Sequence, residues 1–447
     1  LDGIALHTYA VDLARSPDGR WWALNDRTQA PSGAGYALEN RLAIARAFPE
    51  MFRDLKIQRL AGFFIKLRDS LAHWGRACAP YKGQTLGATE QPLTVLLTPG
   101  PYNETYYEQA LLARYLGFAL VQGSDLMVRE GFVWLKTLSG LRRVQVILRR
   151  LDDDYCDPLE LRSDSALGVA GLTDAARRGT VLIANSLGSN LLESGALLGF
   201  LPKLSEVLLG EPLKMPSVAT WWCGEPAALE DALERLKQLV FKPSFPQLRE
   251  VPVFGEDLDE ATQAAFVERV RAEPSDFVAQ ELVRLSQGPV WLRPEPETAN
   301  RAGKVGTGLH ARAVGLRVYA CATPDGYVVM PGGLTRVAAG PDARVIAMQR
   351  GGASKDTWVM TEGVVNPASL LPRATANQDL VRADTHLASR TVENLFWFGR
   401  YSERCDNTAR LMRRCFDTLV EANPESRGQE CAALVALCRW PEILESP

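Results

Sequence analysis

The sequence VDLARSPDGRWWALND, residues 11–26, has the pattern of a β-hairpin. An apolar strand ends at Asp12, Pro-Asp-Gly at 17–19 forms the turn, and residues 21–24 run back. We expect this hairpin to bring Asp12 and Asp26 side by side. Two such carboxylates repel each other unless a cation lies between them, and oxygen ligands suit Mg²⁺. The alternative is a surface hairpin with two solvated aspartates.

Length and composition indicate an ordinary globular protein. The chain has 447 residues, of which 46% are hydrophobic and 23% charged, and this length predicts about two to three domains. Because it begins at Leu1 rather than Met, we expect a fragment of a longer chain. The net charge of −3 gives no drive toward nucleic acid or an anionic membrane. No apolar run reaches the roughly 18 residues that a membrane span needs, so we expect neither partner.

Cysteine and histidine usage argues against a zinc site. The eight cysteines are scattered without a CxxC pair, and the chain has four histidines. This pattern favours a reduced, cytoplasmic setting.

The chain changes character along its length. Residues 93–185 alternate apolar strands with helical stretches, which favours an open α/β sheet. From Ala388 a strongly helical run with several arginines extends to about Glu421. Its apolar side chains exceed what a lone helix leaves in water, so we expect it to self-associate or to bind a protein partner. We divide the chain into five segments: 1–90, 91–200, 201–365, a linker at 366–387, and 388–447.

Polar residues at strand ends are candidates for a binding cleft. Arg149 and Asp152 follow one apolar strand, and Asn185 closes another. Ligand clefts of open α/β sheets lie at such strand ends, so we predict that these residues bind substrate. An ion-pair network that closes the domain is an equally weighted alternative.

Two further strands carry groups suited to a nucleotide. Lys242 ends the apolar run Leu-Val-Phe, and a lysine so placed suits phosphate, although a surface lysine is the commoner case. Gln280 and Glu281 interrupt a second apolar strand, where buried polar groups need partners. Arg317, inside a third, must find an anion, either a phosphate or a neighbouring aspartate. The absence of GxxxxGK[ST] excludes a P-loop.

Six blocks of sequence together resemble one known family. They are YALENR at 36–41, LTPGPYNE at 97–104, RRLDD at 149–153, NSLGS at 185–189, WWCG at 221–224 and MPGGLTRVA at 330–338. In this order, over residues 1 to about 365, they resemble the circularly permuted ATP-grasp proteins of type 2. The tail from Ala388 resembles the start of the alpha-E helical domain. The implied fold is α/β (α+β): a permuted ATP-grasp with an open α/β pre-ATP-grasp-like region and a C-terminal helical segment.

The resemblance also implies roles for individual residues. It assigns Lys203 and Lys242 to the phosphates of ATP, Gln280 and Glu281 to the adenine side, and Asp12 and Asp26 to Mg²⁺. We assign Arg317 and Arg41 to catalysis. Thr28 stands where the family usually has an asparagine metal ligand, which leaves Asn40 as a substitute.

The implied activity is that of an ATP-dependent carboxylate–amine ligase. With Mg-ATP, such an enzyme forms an acyl phosphate on a small-molecule or peptide carboxylate, which an amine then attacks. Two alternatives remain open: a nucleotide-binding, non-catalytic scaffold or regulator with a helical interaction tail, and a kinase-like phosphotransferase. ADP release that requires both an acid and an amine would distinguish the ligase from the other two.

Overall fold

The fold is described from a computed structural model. It describes residues 3–84, 86–87, 90–245, 248, 251–292, 308–340, 344, 346, 351–368, 370, 388–421 and 427–439. The chain divides into two compact units. The first comprises Leu1–Leu135 and Arg142–Leu380, and the second comprises Lys136–Leu141 and Val381–Pro447.

The described residues contain eighteen β-strands. In chain order they are β1 (Thr8–Arg15), β2 (Trp21–Arg27), β3 (Thr94–Leu97), β4 (Ala119–Val121), β5 (Leu126–Arg129), β6 (Phe132–Thr137), β7 (Gly140–Arg143), β8 (Val146–Arg149), β9 (Leu182–Ala184), β10 (Thr220–Trp222), β11 (Leu239–Pro243), β12 (Val253–Phe254), β13 (Phe277–Glu281), β14 (Gln287–Leu292), β15 (Gly308–Thr323), β16 (Gly326–Val329), β17 (Leu334–Val337) and β18 (Ala353–Asp356).

The same residues contain ten α-helices. They are α1 (Ala34–Ala47), α2 (Pro49–Asp54), α3 (Ala61–Arg76), α4 (Tyr106–Leu116), α5 (Leu172–Arg177), α6 (Gly195–Leu209), α7 (Pro226–Glu234), α8 (Glu260–Ala272), α9 (Ser389–Glu421) and α10 (Arg427–Arg439). None of the described helices is long and apolar enough to cross a membrane.

The largest sheet joins the two ends of the first unit. Its order is β18-β17-β15-β1-β2, with β14 and β16 also paired to β15. The predicted N-terminal hairpin is confirmed as β1 and β2, which extend to Arg15 and Arg27. β1 pairs antiparallel with β15 from Thr8 opposite Cys321 to Ala14 opposite Gly315. This sheet therefore takes strands from both predicted segments 1–90 and 201–365, and the five-segment division itself stays a prediction.

A second antiparallel sheet has the order β10-β13-β11-β12. Its strands alternate apolar residues toward α7 and α8, where Phe266 packs edge-on against Phe241 and Phe277. Burying these rings anchors the sheet, because aromatic side chains bury large apolar areas.

The predicted open α/β sheet is confirmed as the parallel sheet β4-β3-β8-β9. Three of its strands, β3, β8 and β9, are buried throughout, as expected of parallel strands covered on both faces. Trp74 and Phe64 of α3 and Leu112 of α4 belong to the core cluster that includes Leu96 and Leu148 of this sheet.

Apart from the end of β6 and the start of β7, the described residues of the second unit are mainly helical. Its α9 begins one residue after Ala388 and ends at Glu421, which confirms the helical run expected there. The predicted linker at 366–387 lies largely outside the described residues. Within the unit, α9 and α10 lie against each other.

Asn185 ties the parallel sheet to the N-terminal hairpin. It follows β9 and is almost fully buried. Its Oδ1 accepts hydrogen bonds from the backbone N–H groups of His7 and Thr8, both at 2.8 Å. Its Nδ2 donates to the carbonyls of Thr8 (2.7 Å) and Thr28 (2.5 Å). One side chain thus satisfies four backbone groups, three at the start of β1 and one directly after β2.

We expect Asn185→Ala to lower the free energy of unfolding by at least about 2 kcal/mol, because buried backbone groups would lose their partners. Urea unfolding followed by tryptophan fluorescence measures this change. Asn366→Ala, at an exposed asparagine, is the control. Equal unfolding midpoints for the two variants would contradict the bridging role of Asn185.

Candidate active site

A cleft of about 990 Å³ lies between the large antiparallel sheet and the sheet of β10–β13. The residues with polar side chains that line it from the two sheets are Asp12, Asn25, Arg27, Arg317, Arg336 and Ser354 on one wall and Lys242, Gln280 and Glu281 on the other. Of the predicted site residues, the structure therefore places Asp12, Arg317, Lys242, Gln280 and Glu281 at one cleft. Asp152 lies at the same cleft.

Three arginines surround the carboxylate of Asp12. Arg317 donates to both oxygens, from Nε to Oδ1 at 2.8 Å and from Nη2 to Oδ2 at 2.9 Å. Arg336 Nη2 donates to Oδ1 at 2.5 Å and Arg27 Nε to Oδ2 at 3.2 Å. The anion expected to pair with Arg317, either a phosphate or a neighbouring aspartate, is therefore the aspartate Asp12. We call Asp12 and these three residues the arginine cluster.

Strand register explains why the arginine cluster forms. Asp12 lies directly opposite Arg317, so both side chains leave the same face of the sheet. Arg27 is opposite Ala10 and Arg336 is opposite Gly315, each two residues from a cluster member and hence on that face.

The charges of the cluster shift one another's pKa. Burial alone would raise the pKa of Asp12, but hydrogen bonds from Arg317 and the three positive charges hold it well below its usual range. Burial disfavours the charged form of Arg317, yet the bond and charge of Asp12 raise its pKa. Burial lowers the pKa of Arg336.

The expectation that Asp12 and Asp26 lie side by side is wrong. Asp26 is opposite Val11, while Asp12 is opposite Asn25, so the two carboxylates leave opposite faces of the sheet. Asp26 accepts a hydrogen bond from the Tyr9 hydroxyl. Burial and the charge of Glu193 outweigh that bond and raise the pKa of Asp26.

The hairpin does not fit a divalent cation. Both oxygens of Asp12 accept hydrogen bonds from guanidinium groups, and the β2 residues on its face are Trp22, Asn25 and Arg27, none of which is acidic. Asn40, the substitute ligand, lies at the cleft and donates to Ser354 Oγ at 3.1 Å. In the part of the chain that the structure describes, no group of three or more His, Cys, Asp or Glu residues could hold a metal.

Lys242 and Gln280 form the polar part of the opposite wall. The Lys242 ammonium donates to Oε1 of Gln280, whose Nε2 donates to Thr220 Oγ1 at 3.0 Å. Burial and the charge of Arg27 lower the pKa of Lys242 to about 8, although Asp12 opposes the shift. Glu281 is exposed at the cleft. Lys242 is thus a cation held close to the arginine cluster.

Lys203 and Arg41 do not line the cleft. Lys203 lies on α6, with 78% of its side chain exposed, and pairs with Glu206 at 3.0 Å. Arg41 is buried on α1, where Nε contacts Asp356 at 2.7 Å and Nη1 donates to the Gln58 carbonyl at 2.5 Å. These placements argue against the phosphate role predicted for Lys203 and the catalytic role predicted for Arg41, which joins α1 to β18.

Arg149 and Asn185 are also buried, and their side chains bond other groups of the folded chain. Arg149 is 1% exposed, and its Nη1 lies 2.5 Å from Asp153 and donates to the Leu151 carbonyl at 2.7 Å. Its Nη2 donates to the Gln29 carbonyl at 3.1 Å. With the four backbone bonds of Asn185, this favours the ion-pair network over the substrate cleft for both residues. Of the three strand-end candidates, Asp152 is the one that lines the cleft.

The loop at 29–33 lines the cleft and is held by buried charges from the parallel-sheet region. Glu108 of α4 accepts from the N–H groups of Gly33 (2.6 Å) and Gly35 (3.0 Å). Arg150 Nη1 donates to the Pro31 carbonyl at 2.6 Å. Gly33 has φ +105°, and a Cβ there would lie 2.2 Å from the Tyr319 hydroxyl, so the turn requires glycine.

Sequence reasoning missed Arg27 and Arg336. Arg336 falls within the quoted block at 330–338, and Arg27 directly follows Asp26. Because side chains alternate along a strand, Arg27 shares a face with Asn25, two residues away, and this was the available signal. It places Arg27 beside Asp12 only once the register of β1 against β2 is known.

We expect the cleft's affinity for inorganic tripolyphosphate to fall as pH rises through about 8, because Lys242 loses its charge there. Isothermal titration calorimetry between pH 7 and 9 measures this. The Lys242→Arg variant keeps its charge and controls for titration of the anion itself. Parallel pH profiles for the two proteins would contradict a role for Lys242 in anion binding.

Comparison with known proteins identifies the family. Residues 1–338 match the model of the circularly permuted ATP-grasp type 2 family. Residues 387–445 match the alpha-E family, described as a predicted α-helical domain with a conserved ER motif. Glu403 and Arg404 supply such a dipeptide in α9.

Relatives are known by sequence. An uncharacterized protein of Mycobacterium tuberculosis is 38% identical over 410 residues, which cover 91% of this chain and 43% of the relative. An uncharacterized protein of Synechocystis is 34% identical over 358 residues, which cover 80% of this chain and 70% of the relative. The chain thus spans less than half the length of the mycobacterial relative.

Two solved structures are also similar. The RimK domain protein ATP-grasp of Sphaerobacter thermophilus matches at 17% identity and a TM-score of 0.26, over 53% of this chain and 89% of that one. The second is the ATP-grasp ligase PsnB, solved with a phosphomimetic variant of its minimal precursor, Mg and ADP. It matches at 13% identity and a TM-score of 0.26, over 55% of this chain and 89% of that one. From the family matches, this chain belongs to the circularly permuted ATP-grasp type 2 family and carries an alpha-E segment at its C-terminal end.

Proposed function

We propose that this chain is the ATP-binding part of a ligase that joins a carboxylate to an amine. The observation that carries the proposal is the cleft between two antiparallel sheets, with the arginine cluster on one wall and Lys242 on the other. Three guanidinium groups contact one buried carboxylate and Lys242 lies on the facing wall, an arrangement that favours a polyanion. Membership of an ATP-grasp family makes ATP the leading candidate.

In this proposal, the nucleotide lies between the two walls. Lys242 contacts the phosphates, and Gln280 and Glu281 lie on the adenine side, beside apolar lining residues such as Val240 and Val278. Apolar walls with a few polar groups suit a nucleotide base, since the walls bury its faces while the polar groups orient it.

The proposed reaction has two steps. A substrate carboxylate oxygen attacks the γ-phosphorus of ATP, the bond to the β-phosphate oxygen breaks, and ADP leaves. The amine nitrogen then attacks the acyl carbon, phosphate leaves with the bonding electrons, and the nitrogen loses a proton. Both steps build negative charge on phosphate oxygens, which Arg317 and its neighbours would neutralise from fixed positions. No protein nucleophile is needed, so positioning and charge supply the catalysis.

The substrates we propose are a small-molecule or peptide carboxylate and an amine. Asp152 lies at the cleft with its pKa raised, mainly by burial, against the opposing charge of Arg149. A carboxylate in this position suits a protonated amine, and this supports assigning Asp152 to the substrate side.

We expect ADP release only when an acid and an amine are both present. A panel of amino acids and short peptides, assayed by coupled detection of ADP, tests this. Lys242→Ala should lower ATP affinity about tenfold or more, as expected for loss of a charge-assisted contact. Lys203→Ala, at an exposed lysine outside the cleft, should not. Equal effects of both substitutions would contradict the nucleotide site.

A second candidate is a nucleotide-binding scaffold or regulator without catalysis. The poor fit of the hairpin to a divalent cation favours it, and so do large exposed apolar side chains on α9, namely Leu395, Phe396, Trp397, Phe398 and Phe416. ATP binding without ADP release across the whole panel would support this candidate against the ligase.

We propose that the exposed side chains of α9 mediate self-association. Phe396 and Phe398 are 60% and 71% exposed, which is unusual for large apolar groups. Sedimentation velocity should show a smaller average mass for Phe396→Glu/Phe398→Glu than for the unchanged chain. Glu393→Gln, on the same helix, is the control. A monomeric unchanged chain, or an unchanged mass in the double variant, would contradict the proposal.

A further inference from the structure

Both carboxylate oxygens of Asp12 are hydrogen-bonded to arginines. Each of its oxygens accepts two hydrogen bonds: Oδ1 from Arg317 and Arg336, and Oδ2 from Arg317 and Arg27. A metal ion would have to displace at least one guanidinium group from a carboxylate that is 3% exposed. A displaced Arg317 or Arg336 would lose its charged partner in a largely buried site, which is costly, whereas Arg27 would keep its longer ion pair with Glu193. The carboxylate is therefore poorly placed to serve as a metal ligand.

The residues beside Asp12 also disfavour a cation. The position directly opposite it on β2 is Asn25, a neutral side chain, and the next residue on that face is Arg27. Mg²⁺ requires oxygen ligands, of which carboxylates contribute most of the charge. A guanidinium group 3.2 Å from Asp12 repels a divalent ion at the same place. The acidic residue of β2, Asp26, leaves the other face.

The arginine cluster instead has donors suited to an anion. Three guanidinium groups face one carboxylate, so positive charge is in excess. Arg336 Nε is buried and has no hydrogen-bond partner among the described residues. Arg27 is 33% exposed, and its second ion pair, with Glu193, is long at 3.7 Å. Guanidinium groups bind phosphate oxygens in a fixed planar geometry.

We infer that the arginine cluster binds the nucleotide phosphates directly, in the place where the fold family implies a hairpin-bound magnesium ion. Asp12 is then a positioning residue that orients the three guanidinium groups rather than a metal ligand. This inference rests on the proposed nucleotide site. It makes nucleotide binding by this chain independent of a divalent cation held by the hairpin.

The first test compares ATP binding with Mg²⁺ and with excess EDTA. Isothermal titration calorimetry on the full chain should give the same affinity in both conditions. Arg27→Gln should weaken binding about tenfold in each, by loss of one charge-assisted contact. Asp26→Asn, on the opposite face, should leave both affinities unchanged. Binding that needs Mg²⁺, or that Asp26→Asn weakens only with Mg²⁺, overturns the inference. No binding in either condition overturns the proposed nucleotide site as well.

The second test introduces a second carboxylate that could ligate a metal ion together with Asp12. Asn25→Asp combined with Arg27→Gln places a second carboxylate opposite Asp12 and removes one cation. Without nucleotide, electron paramagnetic resonance should show no bound Mn²⁺ in the unchanged chain and one bound ion in the double variant. Bound Mn²⁺ in the unchanged chain that is lost in Asp12→Asn overturns the inference. Circular dichroism melts confirm folding, and if the double variant does not fold, the Mg²⁺/EDTA comparison decides.

Discussion

The cleft depends on the buried contact between Asp12 and Arg317. Each charge would be costly to bury alone, and losing one partner of such a pair typically costs about 3–5 kcal/mol. Because the two residues lie directly opposite each other, the contact is satisfied only in one register of β1 against β15. A slip of β1 by one residue would turn Asp12 to the other face of the sheet and separate it from Arg317. The pair therefore fixes how strands about 300 residues apart in sequence meet.

A β-bulge decides which residues of β2 reach the cleft. The register shifts between Asp12 and Leu13, so that Ala10 is opposite Arg27. Continuing the pairing of Leu13 with Ala23 without a bulge would place Asp26 opposite Ala10, on the face of Asp12. The hairpin, the strands and the parallel sheet were predictable from alternation and turn residues. The bulge was not, because its one-residue shift carries no marker such as glycine in this sequence.

The buried polar residues show a second limit of sequence reasoning. Arg149, Asn185 and Arg41 have the residue types of a binding site, but each is satisfied by backbone or side-chain groups in the folded chain. Several of those partners are distant in sequence: Asn185 bonds Thr8, and Arg41 bonds Asp356. A polar side chain at a strand end is therefore ambiguous until the tertiary contacts that satisfy it are known.

In the proposed nucleotide site, the arginine cluster and the contacts around it would hold like charges together before a ligand arrives. The lowered pKa of Lys242 reports the cost of that arrangement, since burial and the nearby Arg27 both disfavour its charge. Glu108 and Arg150 hold the backbone of the loop at 29–33, and Asn185 holds the Thr28 carbonyl at the end of the hairpin. An anion entering the cleft would relieve the repulsion without reorganising the protein. Preorganised charge of this kind favours a phosphate that gains charge during reaction over one that does not.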